Sequence, residues 1–181
     1  MIKKIFIALI GFFLLIVLYF TYAVIINPKS PKGYANIVEN DLELNISYSR
    51  PYKKNRLIFG EKKDSALVPY NEYWRLGANF ATELSLNKPI LFSEKNLKPG
   101  SYRMYAIPDS QSWEVVLNSE AGAFGFNPPD KQNDILSVIV PVQEMDESLE
   151  QFTIDSNKDT LGINLIMSWD KTRVIVPIKP N

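Results

Sequence analysis

Arg50, Arg56, Trp74, Arg75, Asn79 and Thr82 fall in one stretch that has neither helical nor strand periodicity and is punctuated by Pro51, Gly60, Pro69 and Gly77. Polar and aromatic side chains held around proline and glycine suggest a shaped loop rather than a filled core. A guanidinium fork grips carboxylate, phosphate or sulfate with two parallel hydrogen bonds, and a nearby indole can stack on a sugar or on the guanidinium itself. The six residues are therefore the candidate binding set for a small anionic or sugar-like ligand. The competing reading is structural: arginines under loops often bind backbone carbonyls, and Trp74 would then belong to the core.

Other chemistries fit less well. A glycosidase-type hydrolase needs two carboxylates of unequal acidity. Glu72, Glu83, Asp109 and Glu114 are available, but Asp109 sits in a turn pattern and Glu114 on the wet side of a strand pattern. Ser85-Leu86-Asn87-Lys88 fits Ser-x-x-Lys, and Lys171-Thr172-Arg173 is superficially close to Lys-Thr-Gly. That chemistry needs its serine at a helix start, and Ser85 lies in a strand-like run. Asp155-Ser156-Asn157-Lys158-Asp159 offers oxygen ligands for calcium, yet Lys158 intrudes and the glycine and closing glutamate of an EF-hand are missing, so a hairpin loop is expected there.

Composition removes whole classes. The chain has no cysteine and no histidine, so it builds no disulfide, thiol nucleophile, imidazole base, Ser-His-Asp triad or Cys/His metal centre. No metal and no cofactor are expected. Twenty basic residues balance twenty acidic ones, without the excess of positive charge that a nucleic-acid binder normally carries.

The elements that must position these residues begin with an apolar segment. Ile5 to Ile26 carries no charge and is long enough, at ~1.5 Å per residue, to cross a ~30 Å hydrocarbon layer. Tyr19 and Tyr22 fall where an interfacial aromatic belt belongs, and Asn27-Pro28 stops the helix. The amino group, Lys3 and Lys4 precede the segment, while Lys29 and Lys32 follow it. This bias favours a cytoplasmic amino terminus and an extracytoplasmic (periplasmic) remainder. The reading is a single-pass signal-anchor over residues 1–27, touching the bilayer through residues 5–26. The alternative is a cleaved signal peptide, but the apolar core is long for one and Thr21-Tyr22-Ala23 is a poor cleavage match. Without Lys3 and Lys4, 18 basic residues remain against 20 acidic ones, so charge alone does not draw the remainder to anionic lipid.

Pro28-Lys29-Ser30-Pro31-Lys32-Gly33 predicts a stiff polar tether over 28–39. From Asn40 onward the periodicity is that of strands, and a single β domain is expected over 40–181. Leu42, Leu44, Ile46 and Tyr48 alternate with polar residues, and Leu84 and Leu86 repeat the pattern. Lys98-Pro99-Gly100 launches Ser101–Ile107, Pro108-Asp109-Ser110 turns it, and Trp113–Asn118 returns as a hairpin. Ile135–Val142 reads as a buried strand, Gln143–Leu149 as a helical turn or two, and Gln151–Asp155 as another strand. Leu161 to Trp169 and Val174 to Ile178 close the chain as a final hairpin. About eight short strands make this mainly β, an antiparallel β-sandwich or flattened barrel, preceded by one N-terminal transmembrane helix. Charge is segregated, with a basic run over 50–63 and an acidic one over 130–159, most simply two solvated surfaces.

Several motifs are more specific than a generic sandwich: Tyr48-Ser49-Arg50-Pro51, Arg56-Leu57-Ile58-Phe59-Gly60, Leu67-Val68-Pro69-Tyr70 and Trp74-Arg75-Leu76-Gly77-Ala78-Asn79. Leu97-Lys98-Pro99-Gly100-Ser101-Tyr102, Trp113-Glu114-Val115-Val116-Leu117-Asn118 and Trp169-Asp170-Lys171-Thr172-Arg173-Val174 follow in order. From about Asn40 to Lys179 the chain resembles the bacterial DUF2911 family. It departs from the family pattern at Lys54-Asn55, where Lys-Gly is usual, and at Phe124-Gly125, where a tryptophan often precedes the glycine. The resemblance implies an exported, mostly β domain and implies no reaction. Two functional classes follow: a tethered module binding a small ligand, or an interaction domain of the cell envelope meeting another protein. A carboxylate-pair hydrolase stands third.

Overall fold

The computed structural model describes residues 2–122, 125–160 and 162–180. They divide into two compact units, Met1–Pro31 and Lys32–Asn181. In the first, helix α1 (Ile2–Thr21) runs into one wider turn, Tyr22–Ile26, closed by the Asn27 N–H on the Tyr22 carbonyl at 2.9 Å. Phe6, Phe12, Phe13, Leu15 and Tyr19 are all exposed, as on a helix that is apolar all round. Twenty residues rise about 30 Å, so α1 is long and apolar enough to cross a membrane.

The second unit is built from strands β1 (Lys32–Glu39), β2 (Leu42–Ser49), β3 (Phe59–Gly60), β4 (Val68–Pro69), β5 (Thr82–Leu86), β6 (Ile90–Phe92), β7 (Lys95–Leu97), β8 (Gly100–Pro108), β9 (Ser112–Asn118), β10 (Asp134–Asp159) and β11 (Gly162–Pro180). Among the described residues, nine of them form one sheet in the order β1-β2-β5-β8-β9-β10-β11-β6-β7, every neighbour antiparallel. β3 and β4 make a separate parallel pair. The fold is thus mainly β, and the ladder does not close into a barrel.

β10 determines the shape. Its 26 residues, laid straight at ~3.3 Å each, would span more than 80 Å, far beyond a domain of this size. It bends instead, with register shifts between Glu144 and Leu149 and between Leu149 and Thr153. Its first third pairs with β9 and the rest with β11. The second half then comes back over the start of the sheet. The Tyr48 hydroxyl accepts the Ile154 N–H at 2.9 Å, and Arg50 donates to the Thr153 hydroxyl at 3.0 Å.

The core fills the space between. Leu42, Leu44 and Ile46 are at most 1% exposed, while Glu43 and Asn45 face out, as their alternation predicts. Phe59, Trp74, Trp113, Phe152 and Trp169 meet in an aromatic cluster with ring centres 4.9–6.2 Å apart.

The structure departs from the sequence reading in five places. Residues 161–169 and 174–178, expected as the two arms of a final hairpin, lie from Gly162 onward in one continuous strand, β11, whose hairpin partner is β10. Residues 135–142, expected as a buried strand, expose Ile135 and Ile139 on their outer face. Residues 32–39, expected as the end of the tether, form β1, whose Gly33, Ala35 and Ile37 are buried. Gln143–Leu149, expected as a helical turn, belongs to the bend of β10. Asp155–Asp159, expected as a loop, is strand, paired as far as Asp159 with Gly162. Leu161 and Phe124 lie outside the described residues.

Candidate functional site

On β8, Tyr102, Met104 and Ala106 point to the core, which leaves Arg103 and Tyr105 on the opposite face. That face is not wet. β5 leaves the edge of β8 after Thr82↔Met104, and the segment 71–74 takes its place. The Asn71 N–H reaches the Pro108 carbonyl at 2.7 Å, and Trp74 and Ala106 exchange hydrogen bonds at 2.8 and 2.9 Å. With the Trp74 indole sent to the core, its neighbours Tyr73 and Arg75 emerge on the far face. The chain then turns sharply through Leu76 (φ 51°), Gly77 (φ 147°) and Asn79 (φ 59°). Gly77 is required there, since a Cβ would lie 2.5 Å from the Ser49 carbonyl oxygen. Left-handed conformations at Leu76 and Asn79 cost of the order of 1–3 kcal/mol each and cluster at functional loops.

The loop after β9 completes the cover. The Glu120 N–H donates to Asn118 Oδ1 at 2.8 Å, the Gly122 N–H to Glu83 Oε1 at 2.5 Å, and Asn118 Nδ2 to the Asp130 carbonyl at 2.8 Å. Arg103, only 2% exposed, donates from Nη2 to the Tyr73 hydroxyl and to the Asn127 carbonyl, both at 2.5 Å. Its Nε–H has no partner among the described residues. Glu83 stands directly opposite Arg103 in the β5–β8 register, but its carboxylate is turned to Gly122.

Arg75 joins the same cluster. Its Nη1 donates to the Asn79 carbonyl at 3.2 Å, and its guanidinium carbon lies 5.0 Å from the Phe126 ring centre. Gly125 allows this packing, because a Cβ there would stand 2.9 Å from Arg75 Cδ. Burial lowers the Arg75 pKa; the neighbouring Tyr73 opposes that, and the Arg103 charge adds to it. Among the described residues, no ion pair engages Arg75 or Arg103. Beside them the Tyr105 hydroxyl donates to Asp134 Oδ2 at 2.9 Å, and burial followed by that bond raises its pKa well above the usual tyrosine value. It stays a donor at any physiological pH.

The expected site residues are placed as follows. Trp74, Arg75, Asn79 and Thr82 share one loop: Trp74 is 6% exposed in the core, the Asn79 carbonyl holds Arg75, and the buried Thr82 hydroxyl donates to the Leu76 carbonyl at 2.7 Å. Arg50 instead reaches the Phe152 carbonyl and the Thr153 hydroxyl of β10. Exposed Arg56 folds back on the Lys53 and Tyr52 carbonyls of its own turn. The four carboxylates also have separate engagements. Glu72 pairs with Lys62, Glu83 accepts from Gly122, Asp109 accepts from the Gln111 N–H in its turn, and Glu114 lies between Ile107 and Ile139 in the ladder. Ser85 lies in β5 and Lys88 pairs with Asp41, so the Ser-x-x-Lys match has no helix beneath it.

Arg103 and Tyr73 were not singled out in the sequence. The available signal was that Tyr105 and Ile107 share the face of Arg103, too apolar a face to be solvated. The family model described as Protein of unknown function (DUF2911) matches residues 30–178. No curated protein and no solved structure matches the chain.

Proposed function

The chain belongs to the DUF2911 family, and from that premise we propose that it is a membrane-anchored, extracytoplasmic module that binds a small anion at Arg75 and Arg103. One observation carries the reading: two neighbouring guanidinium groups, the Arg103 charge adding to the burial that lowers the Arg75 pKa, are covered by loops without a carboxylate paired to either. An unpaired charge taken out of water costs several kcal/mol, and a phosphate, sulfate or carboxylate bound between the two arginines offsets that cost. The free Nε–H of Arg103 is a donor ready for such a ligand. With Trp74 in the core, no indole of the original set is left to stack on a sugar, which narrows the class to anions.

The test is thermal unfolding of the full chain in neutral detergent with phosphate, sulfate, citrate and neutral sugars. An anion at ~100 times its dissociation constant adds about 2.7 kcal/mol, several degrees at this size. The shift is expected for one anion class, is absent for sugars, and disappears in Arg75→Gln and Arg103→Gln. A wild-type chain unmoved by every anion overturns the reading.

Orientation has its own test, helped by the absence of native cysteine. Lys63→Cys, at an exposed position, should react with a membrane-impermeant maleimide added to intact cells. Labelling only after lysis would place the domain inside.

A further inference from the structure

A second concavity, of about 630 Å³, opens where β10 bends, between that strand and β11. Its volume falls in the range of small-molecule sites. The two register shifts of β10 make it, because they interrupt the pairing with β11 on either side of the Leu149–Asp170 pair. Glu144, Asp146, Glu147 and Asp155 stand around it, all on exposed positions. Met145, Leu149 and Ile166 supply apolar wall. Arg173 of β11 enters from the other side, half-buried, opposite Gln143 in register.

The charges in this cleft do not neutralise one another. The Arg173 Nε–H reaches the Ser168 hydroxyl at 3.4 Å, and the buried Ser168 holds the side chain in place. Yet none of the four carboxylates comes within ion-pair distance of Arg173. The cleft therefore presents a fork for one anion on one wall and an excess of negative charge on the other. The carboxylates are also too dispersed to chelate: among the described residues no three acidic groups are grouped to hold a metal ion. A metal is the wrong cation for this geometry, and an extended organic one is the right shape.

We propose that the cleft binds a ligand carrying one carboxylate and at least two ammonium groups, a diamino acid or a short lysine-bearing peptide. Arg173 takes the carboxylate in a two-pronged contact, the acidic wall takes the ammonium groups, and the methylene stems lie on Met145, Leu149 and Ile166. This site shares no residue with the Arg75–Arg103 pair and stands or falls without it.

Titration calorimetry of the full chain in phosphatidylcholine nanodiscs tests it with three probes: the dipeptide Lys-Lys, spermidine (ammonium groups only) and glutarate (carboxylates only). Lys-Lys should bind most tightly, spermidine about tenfold more weakly, and glutarate not at all, since a charge-assisted contact is worth roughly that factor. Arg173→Gln should bring Lys-Lys down to the spermidine level and leave spermidine unchanged. Asp146→Asn, on an exposed side chain, should weaken both, and it carries the test if Arg173→Gln fails to fold. Equal binding of Lys-Lys and spermidine, unaffected by Arg173→Gln, would reduce the cleft to an acidic surface and overturn the proposal. So would a wild-type chain that binds neither.

Discussion

Trp74 and Arg75 are joined by one peptide bond and end in opposite surroundings. The indole meets Phe59, Trp113, Phe152 and Trp169, with ring centres no more than 6.0 Å away, in a dry core. The guanidinium lies beyond the sheet, beneath the loop that carries Gly125 and Phe126, near a second cation and without an acid. The first arrangement satisfies every group in it. The second leaves charge uncompensated, and residues that lower stability when left alone are residues whose energy a ligand can recover. Trp74 is itself the extended residue bonded to Ala106, so the same backbone segment serves both.

That contrast can be broken most directly at Trp74. Trp74→Ala removes the centre of the aromatic cluster and should cost about 3–5 kcal/mol in chemical denaturation. A cost below 1 kcal/mol would mean that the core does not depend on this ring. Arg103→Leu comes next, with an expected loss of about 1–3 kcal/mol for the bonds to Tyr73 and Asn127. Its effect on ligand should be total: no anion raises its melting temperature. A variant that keeps the anion shift would put the ligand elsewhere.

Asp170, next to Trp169, sharpens the comparison through pH. Burial raises its carboxyl, but hydrogen bonds from Lys53 (2.5 Å) and Ser148 (2.7 Å) and the Lys53 charge outweigh that and hold its pKa below the usual value. A depressed pKa gives stability that is complete above the unfolded value near ~3.9 and is lost as pH falls through the folded one. Asp170→Asn should therefore cost about 1–2 kcal/mol at pH 7 and progressively less as pH falls below ~3.9. The anion shift should survive in it, as it should in Arg50→Gln, which costs about 1 kcal/mol. Smallest is Arg56→Ala, on an exposed side chain bonded to its own turn, expected within about 0.5 kcal/mol by denaturation. A larger loss would give that arginine a role its contacts do not contain.

Much of the fold was legible because one-sided burial leaves a two-residue period. Leu42 to Tyr48 and the 101–118 hairpin were readable for that reason, as was the apolar helix. β1 was hidden because its outward residues include Tyr34 and Val38, both exposed, which blurs the alternation behind a proline-rich start. The bend of β10 was hidden because Glu144 to Glu150 is solvated on both faces, so no period remains to read. At the site, alternation placed Arg103 outside the core and could not tell that a loop fifteen or more residues further on would cover it. Arg50 and Arg56 looked like Arg75 in sequence because a guanidinium bound to carbonyls and one left unpaired are written with the same letter.

The return of β10 over β2 also has a consequence for how this protein is made. Tyr48 and Ile154, 106 residues apart, share two hydrogen bonds in the interior. Contacts so distant in sequence pay their loop-closure entropy before they repay any of it, which slows folding into the millisecond-to-second range. The aromatic cluster likewise waits for Phe152 and Trp169, near the end of the chain. A nascent chain stopped before β10 therefore has most of its strands and many of its core side chains but not the β10–β11 hairpin that covers them, and the domain completes itself only after that hairpin has emerged.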